Sequence, residues 1–302
     1  MPEGHSVHRL ARQLDDVFAG EVLRVSSPQG RFTAGAALLD GRELLEATAH
    51  GKQLFARFAG EQILRVHLGL YGAFGFGGDQ GFRGASSIGA PRRIGEKEAY
   101  DDGTPVAYDG PPEPVGHVRM RLVSEHGWAD LRGPSVCEVL TVPEAEAVRG
   151  RLGPDPLGAD TAAGEEEFLR RIGATGTVIA AALMNQALIA GVGNIYRAEA
   201  LFRAGLDPWA RGRDLPVPVV RRLWQDICAL MADGVRDGRI ITTRAPDRAD
   251  PEAPVWPDHA YYTYQRQGQP CLICRTPIGL AELAARKLYW CPACQPRTGR
   301  SA

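Results

Sequence analysis

The chain has 302 residues, 44% hydrophobic and 24% charged, with a formal net charge of −1, the composition of an ordinary globular protein with room for two domains. No apolar run approaches the roughly 20 residues of a membrane-spanning helix. The first residues carry three acids (Glu3, Asp15, Asp16) and no apolar stretch, which argues against a secretory signal and for a cytoplasmic protein.

Residues 8–20 repeat apolar positions at helical spacing, with Val7, Leu10, Leu14 and Phe18 on one stripe and Gly20 as a stop. Strand-like runs follow at 21–27, 42–50, 53–59 and 62–68, the last alternating as a half-buried strand does. Short strands at this spacing predict a β-sandwich or small barrel. From 75 to 116 the pattern dissolves, with ten glycines and five prolines, which predicts a flexible insertion within the sheet domain. Residues 117–133 return as one or two strands. After Val142 the period becomes helical, with short helices at 143–152 and 164–174. A helix, a glycine-punctuated turn and a second helix then fill 175–206, and a long amphipathic helix spans 217–238. Residues 245–258 are expected to be a linker.

Four of the six cysteines form Cys271-x2-Cys274 and, after sixteen residues, Cys291-x2-Cys294. This spacing is that of a tetrahedral Zn2+ site. Four thiolates close the coordination shell, so the metal would be structural, replacing the core that so short a segment lacks. Cys137 and Cys228 stand apart and are expected to be small buried hydrophobes. Residues 255–302 carry six basic side chains against two acidic ones, a local balance of +4. A basic patch of this kind suits phosphate even where the whole chain is near neutral.

The start Met1-Pro2-Glu3-Gly4 admits a specific chemistry. With Met1 removed, Pro2 offers a secondary amine that titrates near 7.7–8, far below lysine. Such an amine can attack an electrophilic sugar carbon and form an iminium, and Glu3 beside it can shuttle protons.

The start MPEG, the run GNIYRAEAL and a four-cysteine finger containing Arg286 together resemble the formamidopyrimidine-DNA glycosylase and endonuclease VIII (Fpg/Nei) family. The likeness covers most of the chain outside 75–116. It implies an α+β protein: a catalytic β-sandwich with an N-terminal helix over 1–135, a helix–two-turn–helix DNA-binding domain over 140–244, a linker over 245–258 and a zinc finger over 259–296. It implies a bifunctional DNA glycosylase and AP lyase of base excision repair, with one structural Zn2+ and no catalytic metal or redox cofactor. The partner would be damaged DNA, double-stranded with single strands left open, bound by a monomer.

By the same resemblance Pro2 is the nucleophile, Glu3 the acid/base, and Lys52 in AHGKQLF a backbone contact needed for excision. Asn194 in GVGNIY opens a helix beside the lesion phosphate, and Arg286 clamps the flanking phosphates from the finger. Leu70 and Tyr71 in HLGLYG fill the gap left by a flipped base. This Leu-Tyr pair and the start PEGHS favour the endonuclease VIII-like branch, and so oxidised pyrimidines over oxidised purines. Gly69 departs from that branch, which commonly has Gln there. Rival readings are a catalytically inactive damaged-DNA-binding protein of the same fold and an RNA- or protein-interaction module carrying a zinc ribbon.

Overall fold

The computed structural model describes residues 2–79, 82, 84–90, 110–248, 250–252 and 254–297. The chain divides into two compact units, Met1–Arg151 and Leu152–Ala302.

The first unit opens with α1 (Gly4–Phe18), whose apolar stripe Val7, Leu10, Ala11, Leu14 and Phe18 is buried. There follow β1 (Val22–Ser26), α2 (Thr33–Leu39), β2 (Arg42–His50), β3 (Gln53–Phe58), β4 (Gln62–His67), β5 (Ala73–Gly78), β6 (Ser87–Gly89), β7 (Val118–Val123), β8 (Gly127–Arg132), β9 (Val136–Leu140) and α3 (Val142–Arg149). The strands run in the order β6-β5-β8-β7-β1-β2-β3-β4-β9. The succession folds at β1, whose Val22 and Leu23 pair with β2 while Arg24, Val25 and Ser26 pair with β7. Leu54, Phe58, Leu64 and Val66 from one arm meet Phe74, Met120, Leu122 and Leu131 from the other in one core with the α1 stripe. This is the expected sandwich, and each such side chain contributes roughly 1.5–3 kcal/mol on burial. Phe55 and Ile63 form a separate cluster with Ala145 of α3.

The structure departs from the predicted 75–116 insertion at its start. Residues 75–78 lie in β5 and 87–89 in β6, both hydrogen-bonded into the sheet. The glycines there serve close packing: a Cβ on Gly77 would stand 2.8 Å from the Trp128 Nε1 atom. Residues 110–116 run beside the sheet, Pro112 O accepting from Arg121 and Val115 O from Arg132, and residues 80, 81, 83 and 91–109 of that predicted insertion lie outside the described residues.

The second unit contains α4 (Thr161–Ala174), α5 (Ile179–Ala182), α6 (Asn194–Arg203), α7 (Val217–Asp237), β10 (Gly279–Leu283) and β11 (Arg286–Trp290). Asp160 caps α4 by accepting from Ala163 N at 2.9 Å, and α7 ends at Gly238 with φ +66°. Phe168, Ile172, Ile179, Leu183, Tyr196, Leu201, Leu223 and Trp224 form its core, joined by Leu288 from β11. The helix expected after 175 contracts to the single turn α5. Asn185 and Gln186 explain why. Asn185 Oδ1 accepts from Ala187 N, and the Gln186 side chain bonds Val192 O and Gly191 N. Such side-chain bonds offer the backbone an alternative to the helical ladder, and two turns replace the helix.

Candidate active site and nucleic-acid interface

Pro2 and Glu3 are buried at the N-terminus of α1, with Glu3 0% exposed and its carbonyl accepting from Ser6 N at 3.0 Å. Asp15 Oδ1 accepts from Ala47 N at 2.9 Å, and Ala19 is bridged to Leu44. Later helix residues thus meet earlier strand residues, and the helix start is directed toward the Gly51–Lys52 end of the β2–β3 hairpin. His50 pairs with Gln53, so Gly51 and Lys52 are the two-residue turn. Unpaired amides at a helix start carry partial positive charge. Glu3 is the N-cap residue of α1 and lies buried at that helix start. Behind it His5, 5% exposed, has its pKa lowered to about 3, chiefly by burial, with nearby positive charge such as Arg9 adding to it.

Leu70 and Tyr71 occupy the tight loop from β4 to β5, closed by Gly72 N donating to Leu68 O at 2.9 Å. Both side chains face solvent, Leu70 41% and Tyr71 80% exposed. An apolar pair held out on a short, pinned loop suits insertion into a base stack. Gly69 just before them has φ +66°, and a Cβ there would meet Ser135 Cβ and Oγ at 3.0 Å. The loop geometry therefore explains why Gln does not stand at 69.

His67 was not singled out by sequence reasoning, although it begins the same HLGLYG run. Its Nδ1 accepts from Gly69 N at 3.2 Å and lies 2.7 Å from Ser135 Oγ. Its pKa is lowered by burial first, then by the charges of Lys52 and Arg65. A neutral imidazole, oriented by Ser135, thus sits between the Lys52 turn and the Leu70–Tyr71 loop.

In the second unit Asn194 is the first residue of α6, 7% exposed, and its Nδ2 donates to Lys287 O at 3.1 Å. Arg197, one turn on and fully buried, donates to Asn194 Oδ1 and, at 2.9 Å, to Lys287 O. Lys287 follows Arg286, which is exposed and opens β11. The strand that carries the exposed Arg286 is thereby laid against the first turn of α6; helix N-terminal amides and a guanidinium are both groups that bind phosphate. Arg197 was likewise not singled out; its signal lay inside the GNIYRAEAL run. The hairpin turn before Arg286 is Ala284–Ala285, with φ of +52° and +54°.

The four cysteines converge, their sulfurs all within 4.8 Å of one another. Cys271 Sγ lies 3.9 Å from Cys294 Sγ, and Cys274 Sγ lies 3.4 Å from Cys291 Sγ. A tetrahedron with Zn–S bonds of about 2.3 Å has sulfur–sulfur edges of about 3.8 Å. The donors therefore fit one structural Zn2+, and Cys271 and Cys291 are buried in a small core with Phe202, Tyr262 and Ile278. Cys137 and Cys228 are only partly buried, and burial pushes both thiols up to about 12. Among the described residues no helix is long and apolar enough to cross a membrane.

Three family models match this chain: the formamidopyrimidine-DNA glycosylase N-terminal domain over residues 1–134, the formamidopyrimidine-DNA glycosylase H2TH domain over 152–245, and the zinc finger found in FPG and IleRS over 268–297. Endonuclease 8 1 of Mycobacterium tuberculosis is 42% identical over 296 residues, spanning 98% of this chain and 100% of the relative. Formamidopyrimidine-DNA glycosylase of Thermus thermophilus is 30% identical, spanning 98% of each. The solved structure of the MutM (Fpg) protein from Thermus thermophilus superposes with a TM-score of 0.71 at 29% identity, over 98% of this chain and 100% of that one. The chain belongs to the formamidopyrimidine-DNA glycosylase/endonuclease VIII family and is a DNA glycosylase of DNA repair.

Proposed function

We propose that this protein excises oxidised bases, pyrimidines by preference, from damaged duplex DNA through a Schiff base on Pro2, and then cuts the strand by β,δ-elimination. The observation that carries the reading is the buried Pro2–Glu3 pair at the start of α1. With Met1 removed, the Pro2 amine attacks C1′ of the flipped nucleotide and the damaged base leaves. Glu3 protonates the opening sugar ring, in a setting whose low dielectric strengthens each charge interaction. The iminium acidifies C2′, so the 3′ phosphate leaves by β-elimination and the 5′ phosphate by δ-elimination. Lys52 holds the DNA backbone at the mouth of the site, and Leu70 with Tyr71 fills the vacated stack. Asn194 and Arg286 hold the phosphates beside the lesion.

The division of labour follows the chain: catalysis in 1–135, DNA binding in 140–244, a linker in 245–258 and the zinc finger in 259–296. The protein works as a monomer in the cytoplasm. Preference for pyrimidines is supported by the Leu70–Tyr71 loop and by the 42% identity to proteins named Endonuclease 8 1, against 30% to a formamidopyrimidine-DNA glycosylase. A panel of duplex and single-stranded oligonucleotides carrying thymine glycol or 8-oxoguanine tests it. Faster excision of thymine glycol is expected; faster excision of 8-oxoguanine would overturn the branch assignment.

A further inference from the structure

Glu199 is a charged residue in the middle of α6 and is 0% exposed. Its two oxygens accept five hydrogen bonds. Oε1 takes Thr263 N at 2.9 Å, Thr263 Oγ1 at 3.0 Å and Tyr264 N at 2.8 Å. Oε2 takes Tyr262 N at 2.7 Å and Thr242 Oγ1 at 2.5 Å. Three consecutive backbone amides are thus gathered on one carboxylate, as a nest of amides gathers an anion.

The segments it gathers are the two ends of one loop. Thr242 N donates to Ala260 O at 2.8 Å and Thr243 Oγ1 to His259 O at 2.6 Å, which closes the neck. Beyond the neck, Arg244 N donates to Tyr262 Oη at 2.9 Å, and Tyr262 Oη donates to Asp247 at 2.5 Å. From Tyr264 the chain runs on into the zinc finger. The same helix holds the finger's far end, through Asn194 and Arg197 on Lys287 O. One side of α6 therefore fixes the root of the finger and its N-terminus fixes the hairpin strand that carries Arg286.

We propose that Glu199 is a positioning residue for DNA engagement: it anchors the root of the zinc finger to α6 and so sets where Arg286 stands beside the Asn194 helix terminus. The proposal rests on the reading that Asn194 and Arg286 hold DNA phosphate. An apolar residue at 199 would pack as well in a helix core, but it would strand three backbone N–H groups, a cost that a change between apolar side chains does not carry. Gln is the sharper probe. Whichever oxygen its NH2 replaces, a donor then faces a backbone N–H donor.

The test is a double-mutant cycle on the zinc-loaded full chain, with Glu199→Gln and Arg286→Ala, separately and together. Binding to a duplex with a stable abasic-site analogue gives Kd, and single-turnover excision at saturating enzyme gives the chemical step. Glu199→Gln is expected to weaken binding on the order of tenfold, the loss typical of a hydrogen bond to a charged group, with zinc content and the saturated excision rate at wild-type levels. Combined with Arg286→Ala it should add little to the loss from Arg286→Ala alone. Fully additive losses, or a Glu199→Gln protein that binds as wild type, would overturn the proposal. If Glu199→Gln does not fold, Thr263→Val removes one hydroxyl donor and keeps the carboxylate; it must then show a smaller, equally non-additive loss. Wild-type binding by Arg286→Ala itself would instead overturn the phosphate reading on which the proposal stands.

Discussion

Asn194 donates from its side-chain amide to the backbone carbonyl of Lys287 at 3.1 Å, joining positions 93 residues apart. That bond lays the strand bearing Arg286 against the first turn of α6. Arg286→Ala is expected to weaken DNA binding about tenfold and to lower the salt dependence by roughly one counterion. Asn194→Ala should weaken binding by a similar factor, because it removes the brace as well as the helix-terminal group. Titration of a fluorescent abasic-analogue duplex at several salt concentrations checks both. An unchanged salt slope for Arg286→Ala would place that guanidinium away from phosphate.

The turn that presents Arg286 is strained. Ala284 and Ala285 both lie in the left-handed region, at φ +52° and +54°, which costs an L-residue roughly 1–2 kcal/mol. Two-residue hairpins of this type prefer Asn-Gly for that reason. Ala285→Gly should therefore stabilise the finger by about 1 kcal/mol, seen as slower zinc release to a chelator. Faster release would mean that the alanine methyl makes a contact worth more than the strain.

At Gly69 the opposite change is informative. Gly69→Gln restores the residue common in endonuclease VIII-like proteins, but at φ +66° and 3.0 Å from Ser135. The substitution should lower stability by roughly 1–2 kcal/mol and blur the Leu70–Tyr71 loop. Thermal unfolding and excision rate would both fall; a variant as stable and active as the parent would show that the loop tolerates a side chain there.

Acid should destabilise the first unit through the buried His5 and the half-buried His67. His5 titrates at 6.5 as a free group and at about 3 in the folded protein, and His67 is shifted in the same direction. Between those values the unfolded chain binds a proton that the folded chain refuses. The stability is therefore complete above the unfolded value and is lost as pH falls toward the folded one. Urea midpoints at pH ~7.5 and ~5 for the parent and for His5→Gln measure this. The parent should lose more between the two; equal losses would mean His5 is not held neutral.

Much of this was legible in the sequence, for reasons that are local. The stripe of α1 and the alternation of β4 are periodic, and the four cysteines are a spacing. The motif residues Pro2, Glu3, Lys52, Leu70, Tyr71, Asn194 and Arg286 stand in short runs with recognisable composition. What escaped was short, glycine-laden or non-local. The helix α2 is only seven residues long, β5 carries glycine at three of its six positions, and β9 is half-buried at every residue and so shows no alternation. The residues after 175 have apolar content suited to a helix, yet Asn185 and Gln186 turn their side chains onto the backbone and stop it. Glu199 and Arg197 are the clearest case. Charged residues on a helix read as a solvent face, and only the return of 260–264 and of Lys287 to that helix makes them interior.

The central claim is that the Pro2 amine is the nucleophile. Protein with Met1 removed, incubated with a thymine glycol duplex and sodium borohydride, tests it most directly. The expected result is a reduced covalent protein–DNA adduct whose peptide map places the bond at Pro2. A robust excision activity that leaves no trapped adduct, or an adduct mapped to a lysine, would contradict it.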